Sequence, residues 1–286
     1  MAGEFQFQTK SGPIGLGQKT QVAGILNLTP DSFSDGGRYV DAAEAIDRAQ
    51  VMVAQGAAMI DIGACSTRPG AAAVGSEQEL ARLMPVVGKL AQRIDVPISI
   101  DTYHQSVFQA CYDQGASILN DVTALSGDEG MAAFLGQTQA PCVLMHMQGQ
   151  PETMQDRPEY ADVVLDIKRF FSKVIGRAER FGVSCSQIIL DPGIGFGKTL
   201  EQNLTILRRM NEFHELGRPL FVGTSRKSFL GKILDRADPL AREHATTATT
   251  VFLQDKGVQV VRVHDVEASV DALRILDQIN NETNQQ

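Results

Sequence analysis

Residues that could bind a flat, nitrogen-rich heterocycle stand at the ends of several short apolar runs in this chain. The group comprises Asp101, Asn120, Asp191 and Lys227. A carboxylate can accept hydrogen bonds from an amino group and a ring N–H together, and a lysine can donate to a ring carbonyl or nitrogen. These residue types therefore predict a heterocyclic ligand.

A second group of residues suits an anion such as phosphate. It comprises Asn27, Arg68, Arg262 and His264. An arginine can donate to two phosphate oxygens at once. Arg262 and His264 are two residues apart, so on a strand both side chains would face the same side. The two groups together predict a ligand that carries a heterocycle and an anionic part.

Some of these residues also have structural interpretations, which the sequence leaves open. Asp191 begins an Asp-Pro-Gly sequence, which is typical of turns. Asn120 and Asp121 could cap the N-terminus of a helix. His264 could be a purely structural histidine.

The glycine-rich segment 191–199 is similar to two nucleotide-binding patterns but completes neither. The phosphate-loop pattern that ends at Gly197-Lys198-Thr199 requires a glycine at position 192, which is Pro192. The dinucleotide pattern that starts at Gly195 requires a glycine at position 200, which is Leu200. We expect these glycines to let the backbone pass close to a ligand instead.

Eight short apolar runs, separated by turns and amphipathic segments, must position these side chains. The runs cover residues 21–27, 58–63, 96–101, 116–121, 141–146, 187–191, 219–223 and 259–264. Continuous apolar runs are typical of strands that are buried on both faces of a parallel sheet. Seven of the eight end on, or just before, a polar residue that could do chemistry.

Helical patterns occupy the gaps between these runs. One apolar stripe comprises Val164, Ile167, Phe171, Val174, Ala178 and Phe181, and another comprises Val266, Val270 and Leu273. Weaker helical segments cover 41–55, 76–93, 200–216 and 239–256. Alternating strands and helices predict a (β/α)8 barrel in one domain, 1–286, with a doubly wound open sheet as the alternative. Residues 1–20 are expected to form an extension or hairpin over the bottom of the barrel.

The barrel interpretation places the polar strand ends at one mouth, where enzymes of this fold have their active sites. Two long polar loops, 27–39 and 64–75, belong to the same mouth and exceed the usual length of βα loops. A lid that closes over a reactive intermediate would explain their length.

Composition excludes several classes of protein. Hydrophobic residues make up 43% of the chain and charged residues 21%, which excludes a disordered chain. The net charge of −8 argues against a nucleic-acid partner. No apolar run reaches the roughly 20 residues needed to cross a bilayer, and the N-terminus has no secretory pattern, so we expect a cytoplasmic protein. The four scattered cysteines predict reduced, mostly buried thiols.

Eight segments of the chain resemble the motifs of bacterial dihydropteroate synthase. They are residues 24–37, 61–71, 99–102, 119–122, 145–154, 191–198, 225–228 and 262–266. The resemblance spans nearly the whole chain in order. It implies a homodimeric (β/α)8 barrel that condenses 6-hydroxymethyl-7,8-dihydropterin pyrophosphate with 4-aminobenzoate, releasing 7,8-dihydropteroate and pyrophosphate.

The resemblance also implies roles for individual residues. The pterin would be held by Asp101, Asn120, Asp191 and Lys227, in a pocket lined by Met145 and Phe196. Asn27 would help to bind Mg²⁺, and Arg262 and His264 would hold the pyrophosphate. Thr67 and Arg68 would belong to the loop that closes over the second substrate, and Ser228 would contact the aminobenzoate carboxylate. The residues expected to contribute directly to catalysis are Asn27, Thr67, Arg68, Lys227, Arg262 and His264.

One departure from the family pattern and two other functions remain open at this point. Ala64-Cys65 stands where the family commonly has Gly-Glu, which changes the charge of the second loop. A corrinoid-dependent methyltransferase would use a similar pterin barrel, and a pterin-binding module without catalysis is a third interpretation. The segments 225–228 and 262–266 favour the synthase, because they suit a pyrophosphate substrate.

Overall fold

A computed structural model describes residues 4–17, 19–29, 42–65, 74–149, 154 and 158–281. The chain begins with an antiparallel hairpin of β1 (Phe5–Thr9) and β2 (Gly12–Leu16). The hairpin turns at Gly12, whose φ of +109° lies in the region that favours glycine. The Lys10 N–H donates to Ser117 Oγ (3.0 Å), just before the sixth strand, so the hairpin lies at the N-terminal ends of the barrel strands.

Eight further strands form one parallel sheet. They are β3 (Gln21–Asn27), β4 (Met59–Gly63), β5 (Ile98–Asp101), β6 (Ile118–Asp121), β7 (Cys142–Met145), β8 (Ile188–Asp191), β9 (Phe221–Gly223) and β10 (Val260–Val263). Their order in the sheet is β8-β7-β6-β5-β4-β3-β10-β9, and a parallel bridge between Leu190 and Leu220 joins the two ends. The sheet is therefore a (β/α)8 barrel with an N-terminal hairpin, as predicted, and the open doubly wound sheet is excluded.

Nine α-helices occur in the described residues. They are α1 (Ala42–Ala54), α2 (Ser76–Leu90), α3 (Gln105–Asp113), α4 (Glu129–Thr138), α5 (Val163–Arg180), α6 (Leu200–Arg208), α7 (Ser228–Leu234), α8 (Glu243–Asp255) and α9 (Val266–Asn281). The predicted helix at 200–216 is α6 followed by a 3-10 helix, and the one at 239–256 is a 3-10 turn followed by α8. The sequence analysis gave no boundaries for α3, α4 and α7, each of which has ten residues or fewer.

Helix α5 shows how an apolar stripe places a helix against the sheet. Val164, Ile167, Phe171, Val174 and Ala178 are buried, as predicted. Phe181 is not part of the stripe, since 48% of its surface is exposed. The helix ends at Arg180, and Phe181 already has a non-helical backbone, so its side chain leaves the buried face.

The lower part of the barrel interior is apolar. Two residues of the hairpin, Phe7 and Leu16, pack against side chains that the strands point inward, so the hairpin closes the bottom of the barrel. These side chains are Ala23, Met59, Ile118, Val143, Ile189, Phe221 and Val260. A barrel of eight strands is filled by such layers.

Two further observations bear on composition. Cys111 and Cys142 are buried thiols, as predicted, whereas Cys65 and Cys185 are only half-buried. Among the described helices, none is both long and apolar enough to cross a membrane.

Candidate active site

A polar layer lies above the apolar layer of the barrel interior. Side chains two positions apart on a strand face the same side, so the residue two positions after each lower-layer residue also points inward. In β4, β6, β7, β8 and β10 these residues are Asp61, Asn120, Met145, Asp191 and Arg262, and all but Met145 are polar. The alternation therefore brings residues from distant parts of the chain to the mouth of the barrel.

Arg262 is the centre of this layer. Its Nε donates to Asp61 Oδ2 (2.5 Å), and its Nη2 donates to Asp101 Oδ2 (3.1 Å). The Asn120 amide also donates to Asp61 Oδ2, at 3.2 Å. The sequence interpretation placed Arg262 with the anion group, but the structure bonds it to a carboxylate of the heterocycle group. The two groups are thus one connected network.

Asp61 was missed as a site residue by the sequence analysis. Its side chain is completely buried and accepts hydrogen bonds from Ser99 (2.6 Å), Asn120 and Arg262. A buried carboxylate with these partners holds the Arg262 side chain in place. The available signal was an acidic residue inside the otherwise apolar run 58–63.

Burial disfavours the charged form of both predicted pterin-binding carboxylates. Desolvation raises the pKa of Asp101 to about 7, although the Arg262 guanidinium opposes the shift. Desolvation also raises the pKa of Asp191, against the opposing charge of Lys227. The two carboxylates are therefore poised to respond to a ligand that brings or removes a proton near them.

Asp191 also supports the turn that follows it. Its Oδ1 accepts a hydrogen bond from the Gly193 N–H (2.7 Å), so the turn role suggested by Asp-Pro-Gly is confirmed. Gly193 has a φ of +69°, and a Cβ there would collide with the carbonyl oxygen of His146. The β8–α6 loop consequently lies tightly over the end of β7.

Lys198 holds this loop from inside. Its ammonium group, with the side chain 97% buried, donates to Gly193 O and Phe196 O (both 2.9 Å) and to His146 Nδ1 (3.1 Å). Desolvation lowers the pKa of Lys198, and burial together with the Lys198 charge lowers the pKa of His146 to about 2. His146 is thus a neutral acceptor. In the sequence, Lys198 stands out only as part of an incomplete phosphate-loop pattern.

Lys227 lies against the Phe196 ring at the mouth of the barrel. Lys227 Nζ donates to the carbonyl oxygen of Ile194 and lies 4.7 Å from the centre of the half-buried Phe196 ring. Burial lowers the pKa of Lys227 to about 8, with Asp191 opposing the shift. The structure thereby places an ammonium group, an aromatic face and a carboxylate around one space.

Ser225 orients His264. The Ser225 Oγ accepts from the backbone N–H of His264 (3.2 Å) and lies 2.9 Å from His264 Nδ1. Either atom can be the donor in this contact, so it sets the orientation of the His264 ring rather than the site of its proton. Ser225 follows the predicted run 219–223, but no role was predicted for it.

Asn27 ends β3 beside Gly63, which has no side chain. A Cβ on Gly63 would lie 3.8 Å from Asn27 Oδ1 and 3.6 Å from Asp101 Oδ2, so the missing side chain leaves a space bordered by two oxygen atoms. Hard oxygen ligands are those that Mg²⁺ prefers. In the described part of the chain, no cluster of three or more histidine, cysteine or acidic side chains could hold a metal.

The other predicted site residues have different outcomes. Met145 is buried at the end of β7, and Ser228 is exposed as the first residue of α7. Thr67 and Arg68 lie outside the described residues, as do 30–41 and 66–73 of the two long loops. Burial raises the pKa of the Cys65 thiol at the start of the second of these loops.

Comparisons with known proteins match this geometry to a family. Residues 23–264 match the family described as pterin binding enzyme. The chain belongs to this family. A dihydropteroate synthase from Synechocystis sp. is 47% identical over 261 residues, which cover 91% of this chain and 90% of the relative. Within the pterin-binding enzymes, the chain therefore belongs to the dihydropteroate synthases.

Two solved structures of Xanthomonas albilineans dihydropteroate synthase are similar to this pterin-binding enzyme. The complex with 4-aminobenzoic acid has a TM-score of 0.91 at 36% identity, covering 97% of this chain and 99% of that one. The complex with 7,8-dihydropteroate has a TM-score of 0.86 at 34% identity, covering 96% and 98%.

Proposed function

We infer that this chain is a dihydropteroate synthase, which joins 6-hydroxymethyl-7,8-dihydropterin pyrophosphate to 4-aminobenzoate and releases 7,8-dihydropteroate and pyrophosphate. One observation carries the inference: the carboxylates of Asp101 and Asp191 and the ammonium group of Lys227 lie close to Arg262 at the mouth of the barrel, and the Asn120 amide belongs to the same network. A pterin presents amino and ring N–H donors together with ring acceptors, and these match carboxylates and lysine. The relatives with 4-aminobenzoic acid and 7,8-dihydropteroate support the same substrates.

The proposed pterin contacts follow from this chemistry. Asp191 and Asn120 bind the polar edge of the ring, and Lys227 donates to a ring acceptor. The Phe196 face and the Met145 side chain cover the apolar surface of the ring. The buried position of these groups makes each hydrogen bond stronger than it would be in water.

The reaction breaks the bond between the exocyclic methylene carbon and the pyrophosphate oxygen. The electron pair leaves with pyrophosphate, and the amine of 4-aminobenzoate forms the new C–N bond and loses a proton. Because the electron-rich ring can supply electrons to the methylene carbon, we expect a dissociative, cationic transition state. The carboxylates of Asp101 and Asp191 stabilise positive charge on the ring.

The leaving pyrophosphate requires the opposite charge. Arg262 and His264 donate to its oxygen atoms, and Ser225 keeps the His264 ring in place. Bound Mg²⁺ would supply further charge neutralisation there, with Asn27 Oδ1 as a protein ligand and substrate phosphate oxygens among the others. Thr67, Arg68 and Ser228 are proposed for the aminobenzoate side.

We propose that two copies of the chain associate through the α8–α9 face. Ile275 and Ile279 stand four residues apart on α9, with 63% and 62% of their surfaces exposed, and Phe252 on α8 is also exposed. Residues four apart share one face of a helix, so these side chains form an apolar surface that an identical copy would cover. The free thiols are consistent with a reducing compartment, and we propose the cytoplasm.

A single assay tests the function. The purified chain is mixed with Mg²⁺, the pterin pyrophosphate and labelled 4-aminobenzoate, and both pyrophosphate release and labelled product are measured. A synthase gives equal amounts of the two products. Pterin binding by calorimetry without either product would indicate a binding module, and methyl transfer from methyltetrahydrofolate to a corrinoid would indicate a methyltransferase.

A further inference from the structure

The turn that delivers Lys227 to the site contains a strained residue. The Lys227 N–H donates to Thr224 O (3.2 Å), which closes a four-residue turn after β9. The third residue of this turn is Arg226, with a φ of +58°. A side chain at positive φ crowds its own backbone, and turns with this geometry favour glycine. Something outside the turn must hold Arg226 in this conformation.

A buried guanidinium supplies that support. Arg242, immediately before α8, is 92% buried, and its Nη1 donates to the carbonyl oxygen of Arg226 (2.9 Å). Its Nε donates to Arg236 O (3.1 Å), and its Nη2 donates to Ala237 O. Three backbone carbonyls from two segments therefore share one fixed, planar donor.

The amide and the side chain of Arg226 are also held. Its N–H donates to Thr246 Oγ1 (3.1 Å), and its side chain forms an ion pair with Glu243. Both partners lie on α8, directly after Arg242. Arg242 and the first turn of α8 thus contact the carbonyl, the N–H and the side chain of Arg226.

Gly231 makes room for this arrangement. A Cβ on Gly231 would lie 2.6 Å from Arg242 Nε and 2.5 Å from Arg236 O, both closer than real Cβ contacts allow. A glycine in the middle of α7 is unfavourable for the helix itself, because glycine has a low helix propensity. Its presence is explained by the space that the Arg242 guanidinium needs.

We propose that Arg242 is a positioning residue for the synthase reaction: by binding the Arg226 carbonyl, it holds the strained turn that aims Lys227 at the pterin and Ser225 at His264. Ser225 and Lys227 are the chain neighbours of Arg226, so a rotation of the Arg226 backbone would turn both away from their present partners. The Arg242 guanidinium donates to backbone carbonyls, so its proposed role is positioning rather than catalysis. The proposal rests on the proposed function, because its effect is measured with the substrate and product of that reaction.

The first test is Arg242→Met, which keeps an apolar chain of similar length but removes the donors. We expect kcat/KM for the pterin pyrophosphate to fall about 100-fold, because small displacements of binding groups have effects of this size. Calorimetry with 7,8-dihydropteroate should show weakened binding by the same variant. The binding measurement does not need turnover, so it tests the role of Arg242 even if the wild-type chain releases no pyrophosphate. A wild-type chain that releases no pyrophosphate would contradict the proposed function and not the role of Arg242.

A matched pair of double variants separates positioning from general loss of structure. Arg226→Gly/Arg242→Met and Arg226→Ala/Arg242→Met both lose the Arg226 side chain and its ion pair with Glu243. They differ in that glycine adopts φ of +58° without crowding. We expect the glycine variant to have a kcat/KM about fivefold above that of the alanine variant, with tighter dihydropteroate binding.

Normal kinetics and binding in Arg242→Met would overturn the proposal. Equal kcat/KM and equal dihydropteroate binding in the two double variants would also overturn it. If Arg242→Met is too unstable to purify, Gly231→Ala displaces the guanidinium while favouring the α7 helix, and it is combined with the same two changes at Arg226. A fivefold advantage for glycine in that background supports the proposal, and equality contradicts it.

Discussion

The side chain of Asp191 makes two interactions. Its Oδ1 accepts a hydrogen bond from the Gly193 N–H, and its carboxylate charge interacts with Lys227. A neutral replacement of the same shape would keep the first interaction and weaken the second. Replacements at Asp191 can remove the charge alone or the whole carboxylate. Asp191 is therefore the position at which the pterin-binding hypothesis is tested most directly.

Asp191→Ala is expected to reduce turnover to the background rate, and Asp191→Asn to reduce it by about 100- to 1000-fold, as for other removed electrostatic contacts. Asp95→Asn serves as the control, because Asp95 is exposed before β5 at the bottom of the barrel, and it should leave turnover unchanged. Steady-state kinetics with both substrates measures the effect. A near-normal rate in Asp191→Ala would show that the pterin is not anchored there.

The shifted pKa values of Asp101 and Lys227 predict a narrow pH optimum. Asp101 becomes protonated as the pH falls below about 7, and Lys227 loses its proton as the pH rises above about 8. The active form requires charged Asp101 and charged Lys227, so kcat/KM should fall on both sides of this range.

Lys227→Arg tests the alkaline limb of that profile. A guanidinium does not titrate in the accessible range, so the fall near pH 8 should move upward even if the maximum rate is lower. The acidic limb is the internal control, since Asp101 is unchanged. An alkaline limb that stays near pH 8 in this variant would assign it to a substrate or to another residue.

At the scale of the elements, the β8–α6 loop shows how backbone packing fixes a binding surface. Lys198 binds the loop carbonyls from inside, and Gly193 lets the loop lie against His146 O. The loop backbone therefore gives the Phe196 ring a defined place at the mouth of the barrel.

Gly193→Ala should destabilise the protein by about 3 kcal/mol or more, because it adds both a positive-φ cost and a collision with backbone. Gly176→Ala is the matched control: the site on α5 has nothing within 4 Å of the added carbon, and the change should stabilise the helix by about 0.5–1 kcal/mol. Urea unfolding of both variants gives the two values. Equal stability of the variants would refute the close packing of the loop.

The strands and most of the site were predictable because parallel strands bring their C-terminal ends to one mouth. Asp101, Asn120 and Arg262 each end or nearly end an apolar run, so position alone identified them. Asp61 lies inside its run, and a pattern of apolar residues gives no reason to expect an arginine from the last strand beside it. Phe181 was misplaced because apolar periodicity does not show where a helix ends.

The support of Arg226 by Arg242 could not be predicted for a different reason. The two residues are 16 positions apart, and their contact depends on how α7 and the 3-10 turn before α8 fold back on the strand end. Composition and spacing carry no information on that path. The barrel as a whole follows from local patterns, whereas the contacts that tune its mouth depend on the folded chain.

For the molecule as a whole, the apolar face of α8 and α9 predicts self-association. Ile275→Glu combined with Ile279→Glu places charge on that face and should convert a dimer to a monomer, as measured by sedimentation equilibrium. Leu165→Glu on α5 is the control, since Leu165 is also exposed but belongs to a helix far around the barrel. If both variants sediment as the wild type does, another surface joins the copies.

The barrel closes between β8 and β9, where β9 has only three residues and the Leu190 N–H donates to Pro219 O at 2.9 Å. Asp191 lies on one side of this joint and Lys227 follows the other. A pterin that contacts both side chains would bridge the two strands at this joint. Bound pterin should therefore slow deuterium uptake at the amides of 219–223, and uptake should rise again once the product is released.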